Sequence, residues 1–352
     1  MAHFDFVQGV AFGTQSAYGT INATTRDLTG ALATANGIVL GDAEAGQGET
    51  GIDFDQERNE KPLAAVTGSF TKQAGSFLRI VPSLQIAVPL AGPRNNAANP
   101  VVDGDMSLAT NWPGLDALLR AAGLVGAAWG GGVGFQFLPA SAIPLTAKVW
   151  VGGSAADAFA SSYVLQDCFA DLDIQFTPGG IAVALFKIGG TRQGRNAGVT
   201  LPTFAYGTQA SVSPPTVQNA AFTWGMARGF EDLKVSIVNG LQVFKDSNVP
   251  GGEVTRQSAR EISIAGTIYS DSTDQDYEDT NLDASVAPTA DASFTVGTAA
   301  VALGAVNAYY LALNNFQLTK NSARKIGTEL ARAVEGYCSG ASANSEFELR
   351  FI

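Results

Sequence analysis

The stretch Asp171-Leu172-Asp173-Ile174-Gln175-Phe176-Thr177-Pro178-Gly179-Gly180 alternates polar and apolar side chains and then breaks. Successive side chains of an extended chain point to opposite faces, so Leu172, Ile174 and Phe176 share one face and Asp171, Asp173 and Gln175 the other. Pro178 presets a turn dihedral and the glycines after it accept positive φ, which makes Thr177 to Gly180 a hairpin turn. Ile181 to Ile188 is then the returning strand.

The same period recurs outward from this hairpin. Leu84, Ile86, Val88 and Leu90 share a face, as do Leu145, Ala147, Val149 and Val151, with Thr146, Lys148 and Trp150 opposite. In the second half Leu233, Val235 and Ile237 form one set, Ile262, Ile264 and Ile268 another, and Phe347, Leu349 and Phe351 a third. That last strand needs a partner to pair with. A helix is expected from Pro113 to Ala122, where Leu115, Leu118, Leu119 and Ala122 fall at i, i+3, i+4 and i+7 and Gly123 supplies a left-handed cap. A second, acidic helix is expected over 274–284. A strand, loop and helix in each half suggest a distant internal duplication. The fold class expected is therefore mainly β.

The chain has 352 residues, more than one typical core needs, so two domains are expected. The boundary falls in 201–216, where Pro202, Pro214 and Pro215 interrupt all periodicity, giving units 1–205 and 206–352. Residues 41–62, Gly-rich and acidic, and 91–113 read as long loops of the kind that carry function.

Charged residues make up only 15% of the chain, well under the roughly 25% of an ordinary soluble domain, which suits burial against neighbours. The net charge of −11 is shared: residues 1–200 hold 11 basic and 16 acidic groups, and 201–352 hold 10 and 16. An evenly acidic surface disfavours tight nucleic-acid binding through phosphate contacts. The opening residues carry no basic segment followed by an apolar run, and no stretch reaches the ~18 apolar residues of a membrane helix, so synthesis and assembly in a cytoplasm are expected.

Chemistry finds little purchase. The single histidine is His3, which leaves no histidine-based triad. The carboxylate pairs Asp53/Asp55, Asp103/Asp105 and Asp171/Asp173 read as solvated faces rather than a hydrolytic pair. The acidic run from Asp271 to Asp279 fails as a calcium loop, since Asp279 stands where glycine is needed and Ser285 where a bidentate glutamate is needed. Gly130 to Gly134 and Gly189 to Gly194 lack both the phosphate-loop ending and the dinucleotide spacing. Cys168 and Cys338 have no metal or redox spacing and read as buried thiols. Trp112, Trp129, Trp150 and Trp224 are scattered and read as core or interface residues. No enzyme, cofactor or metal site is expected.

The order of segments resembles the tail tube (major tail) proteins of siphophages. The resemblance is carried by Gly68-Ser69-Phe70-Thr71 before Leu84 to Leu90, by Gly114-Leu115-Asp116-Ala117-Leu118-Leu119-Arg120-Ala121-Ala122-Gly123-Leu124, by the hairpin at Gly179-Gly180, and by Phe230 to Asn239 leading to Arg260-Glu261-Ile262. It implies two tube-type β-sandwich domains, each with a short flanking helix, whose sheets join between subunits into a ring-shaped β-barrel. It also implies a trimeric ring that mimics six domains, ring-on-ring stacking around a tape-measure protein, contacts with tail terminator and distal tail proteins, a place in the virion, and DNA only in transit. On that basis Asp53, Asp55, Glu57, Arg58 and Glu60 are candidates for the ring-stacking contact. Asp171, Asp173 and Gln175 are candidates for the channel lining. Two rival readings are an outer-membrane barrel, which the expected helix and absent leader disfavour, and a carbohydrate-binding or hydrolytic β-sandwich of a phage tail tip.

Overall fold

In a computed structural model of the chain the described residues are 7–28, 37–38, 52–61, 76–90, 113–129, 134–151, 161–197, 199, 217, 220–224, 226–245, 253–257, 259–269, 279–283, 291–296, 309–327, 329–340 and 344–351. In the first part of the chain they form β1 (Val7–Thr14), α1 (Ala23–Arg26), β2 (Gly37–Ile38), β3 (Ile52–Lys61), β4 (Ser76–Pro89), α2 (Pro113–Ala121), β5 (Leu124–Trp129), β6 (Gly134–Pro139), β7 (Leu145–Val151), β8 (Ser161–Phe176) and β9 (Val183–Ala197). There follow β10 (Ala221–Trp224), β11 (Met226–Arg228), β12 (Phe230–Val238), β13 (Leu241–Lys245), β14 (Glu253–Gln257), β15 (Glu261–Tyr269), β16 (Ala292–Val296), β17 (Tyr309–Leu313), β18 (Phe316–Ile326), β19 (Glu329–Cys338) and β20 (Phe347–Phe351).

The protein is mainly β, with two large antiparallel sheets. An eleven-stranded sheet is built on the long hairpin β8–β9, and a seven-stranded sheet runs β11-β10-β16-β17-β20-β6-β5. The hairpin turn lies where the alternation breaks: Gly179 has φ of 80°, and the Gly180 amide donates to the Thr177 carbonyl over 3.0 Å. β8 is long enough to take two neighbours along one edge, β7 at Ser161–Cys168 and β12 at Leu172–Phe176. Through β12 the sheet crosses the expected boundary at 205/206. Residues 201–216 themselves lie outside the described residues.

Register explains which face is buried. Ile262, Ile237, Leu172, Phe186, Ile86 and Ile52 occupy one row across six strands, and the first five are buried. This apolar face packs on the smaller sheet and on α2. Phe176 of β8 and Phe230 of β12 approach Phe294 of β16, with ring centroids 4.4 and 5.2 Å apart. Phe316 of β18 meets Trp224 of β10 at 5.0 Å. The sheets thus interdigitate as a sandwich, and neither closes into a barrel among the described residues.

The expected helix is present as α2. Leu115, Leu118, Leu119 and Ala122 are wholly buried, and Asp116 accepts from Arg120 one turn on, at 2.7 Å. Gly123 caps it with φ of 78°, its amide reaching the Arg120 carbonyl at 3.0 Å. Of the second expected helix, 279–283 is helical and 274–278 lies outside the described residues. The C-terminal strand finds its partners inside the chain, between β17 and β6.

One expectation is corrected. Residues 52–61 are not loop but strand β3, paired with β4 along its length; residues 41–50 are outside the described residues. The reading failed because β3 holds four acidic and two basic residues in ten positions and has little hydrophobic period to betray a strand.

Candidate functional site

The chemistry-bearing side chains gather on surfaces rather than in a cleft. Among the described residues no three His, Cys, Asp or Glu side chains cluster as metal ligands, and no helix is long and apolar enough to cross a membrane. Both cysteines are free and buried. Burial, followed by the nearby Asp167 carboxylate, pushes the Cys168 thiol far up, and burial and then Glu346 push Cys338 up to about 12, so neither is a nucleophile. Trp150 and Trp224 are buried too, which removes them as stacking platforms. Gly190 sits where the β8 bulge crowds it: an added Cβ would stand 2.4 Å from Cys168 Sγ, so this glycine serves close packing.

The face of the large sheet opposite the sandwich core is the first candidate surface, and Ala87, Val183 and Leu185 are buried on it beside Asp173. Asp171 and Asp173 alternate with the buried Leu172 and Ile174, as expected. Register places Asp53, Gln85, Lys187 and Asp171 in one row across β3, β4, β9 and β8. A second row runs Gln317, Tyr337, Ser263, Ser236, Asp173 and Leu185. The two residue sets expected to stack rings and to line a channel therefore meet on one sheet.

Their charge is largely matched within the chain. Asp171 accepts from the Asn239 amide at 2.8 Å, fixing the turn after β12. Asp173, 8% exposed, lies between Lys187 at 3.0 Å and Lys234 at 3.2 Å. Burial would raise its pKa, but hydrogen bonds from Ser236, Lys187 and Lys234 outweigh that and hold it below its ordinary value. Sequence reading missed both lysines, although Lys187 closely follows the apolar run Val183 to Phe186 and Lys234 is the one basic residue of β12.

A carboxylate whose folded pKa is depressed adds stability above its unfolded pKa and loses it as pH falls through the folded value. Asp173→Asn should therefore cost about 1–2 kcal/mol at pH 7, and the gap to the unaltered protein should narrow as pH drops below the ordinary carboxyl range. Urea unfolding at pH 7 and pH 3 measures it; an equal gap at both pH values contradicts the assignment.

The second candidate surface is the two ends of one run through the large sheet, which also branches through β7 and β1 to the short strand β2. β3, β4, β9, β8, β12, β15, β19 and β18 form one uninterrupted antiparallel run of eight strands. β3 and β18 end it, and neither has a second partner strand among the described residues. β18 is exposed over most of 319–325, and Asp55 and Glu57 of β3 are exposed.

A third feature went unnoticed in the sequence. Lys148 is buried and lies 5.1 Å over the Trp150 ring, donating to the carbonyls of Arg26 and Leu28 at 3.0 and 2.8 Å. Burial lowers its pKa. It anchors the segment after α1 to β7, a structural task.

The chain matches no protein-family profile and none of the curated proteins.

Proposed function

We propose that this chain is a structural protein that assembles with copies of itself into stacked rings, forming the hollow tail tube of a long-tailed bacteriophage. The observation that carries the reading is the eight-strand run whose two end strands have no second partner strand among the described residues. An open edge presents a row of backbone N–H and C=O groups that can serve as a template for another chain. The low charge content and the segment order that resembles siphophage tail tube proteins support it further.

On this reading the sandwich's second sheet and α2 face outward, and the opposite face of the large sheet, with Asp171, Asp173 and Gln175, lines the channel. Three copies of the eight-strand run would give twenty-four strands. At ~4.8 Å spacing and ~40° tilt these enclose a channel about 45–50 Å across between backbones. Rings stack around a tape-measure protein and end at tail terminator and distal tail proteins, and DNA passes through without tight binding because the chain is acidic overall.

Negative-stain electron microscopy of the purified chain is expected to show rings or hollow rods. A compact monomer at every concentration overturns the reading.

A further inference from the structure

Resting on that ring reading, we propose that β18 of one copy pairs antiparallel with β3 of the next, and that opposite charge on these two strands selects the joint. The argument begins with charge. β18 carries Lys320, Arg324 and Lys325 and no acidic residue, within a chain of net charge −11. β3 carries Asp53, Asp55, Glu57 and Glu60 against Arg58 and Lys61. The formal balance is +3 on one edge and −2 on the other. Two β18 edges set against each other would oppose like charges, which is destabilising across strands, and two β3 edges would each bring a net −2. The unlike pairing is the one that electrostatics favours.

Topology makes the same choice. Every neighbouring pair in the eight-strand run is antiparallel, and eight is even, so β3 and β18 run in opposite directions. Copies related by rotation about a ring axis then present β18 antiparallel to the next β3, and the pattern continues unbroken across the joint. Such a head-to-tail contact closes into a ring, whereas an edge paired with itself would stop at a dimer.

The β18 charges are only partly engaged within the chain. Lys320 pairs with Glu335 where both are about half exposed, and Arg324 donates to Thr267 at 2.9 Å. Lys325 is exposed. The assignment moves Asp53, Asp55, Glu57, Arg58 and Glu60 from the contact between rings to the contact within one.

Two charge-reversed chains test the joint, Lys320→Glu/Arg324→Glu/Lys325→Glu and Asp53→Lys/Asp55→Lys/Glu57→Lys. Each alone should raise the concentration needed for ring formation by about tenfold or more, and one chain carrying both sets should regain assembly. Singly reversed chains that melt normally and still form rings like the unaltered protein overturn the joint. So does a doubly reversed chain that folds but recovers nothing.

A second measurement avoids dependence on the reversals folding. Glu57→Cys and Ser322→Cys proteins, mixed and treated with a short bifunctional maleimide, should give the mixed dimer in preference to either like dimer, the native thiols being buried. Absence of that product when rings are present removes the joint and leaves the ring reading standing. Absence of rings from the unaltered chain removes both.

Discussion

Phe294→Ala is expected to cost about 3–5 kcal/mol, the range for deleting a large aromatic from a core that cannot collapse around the gap. Phe294 is wholly buried on β16 and meets both Phe176 and Phe230 of the larger sheet, at 4.4 and 5.2 Å. Its removal empties space between two sheets whose separation is set by the surrounding side chains, so neither sheet can move in to fill it. Thermal unfolding should fall by about 4–7 °C, and Phe294→Leu, which keeps most of the volume, should recover over half of the loss. Ring formation below the new melting temperature should keep its concentration dependence, because the lesion lies inside the sandwich and not at an edge. A loss under about 1 kcal/mol would mean that the two sheets do not pack through this residue.

The ease with which the core was read and the difficulty with the edges share one physical cause. Where a strand has one face on the core and one on water, burial writes a period of two into the sequence. Leu172, Ile174 and Phe176, or Leu233, Val235 and Ile237, show it, and each of these residues is buried. Beyond Ile52 and Phe54 the sequence of β3, like the outer half of β18, has no alternating apolar residues, so little in its hydrophobicity marks it as a strand. Residues 52–61 accordingly read as loop from sequence, and Lys320 to Ile326 carry no strand signal. Charge is the signal that remained: three basic and no acidic residues in eleven positions of an acidic chain. The candidate site was legible to the same degree. Alternation gave the face shared by Asp171, Asp173 and Gln175, but it could not give the neighbours. Lys234 approaches Asp173 only because β12 pairs with β8 across 61 positions of sequence, and a pairing at that distance leaves no local trace.

Arg260→Ala is expected to cost about 3 kcal/mol, near the low end of what breaking a buried ion pair costs, through a lesion at the opposite extreme of chemistry from Phe294. Arg260 precedes β15 in the large sheet, and its guanidinium reaches the smaller one at two places. Nε donates to Glu346 at 2.8 Å and Nη1 to the Ala140 carbonyl at 2.6 Å, while Nη2 donates to Asn344 at 3.0 Å and again to Glu346. The side chains of Arg260 and Glu346 are 10% and 16% exposed, so truncation strands a carboxylate with little water to replace its partner. The Glu346 carbonyl also accepts the Asn314 amide at 3.0 Å, which carries the disturbance into the β17–β18 turn. Arg260→Lys should fare little better, since an ammonium cannot reach Glu346, Ala140 and Asn344 at once. The decisive comparison is the double variant Arg260→Met/Glu346→Gln. If the cost of Arg260→Ala is the stranded charge, neutralising Glu346 as well should return about half of it; if the double variant is as unstable as the sum of its parts, the guanidinium's bonds to Ala140 and Asn344 are what hold the two sheets together at this end.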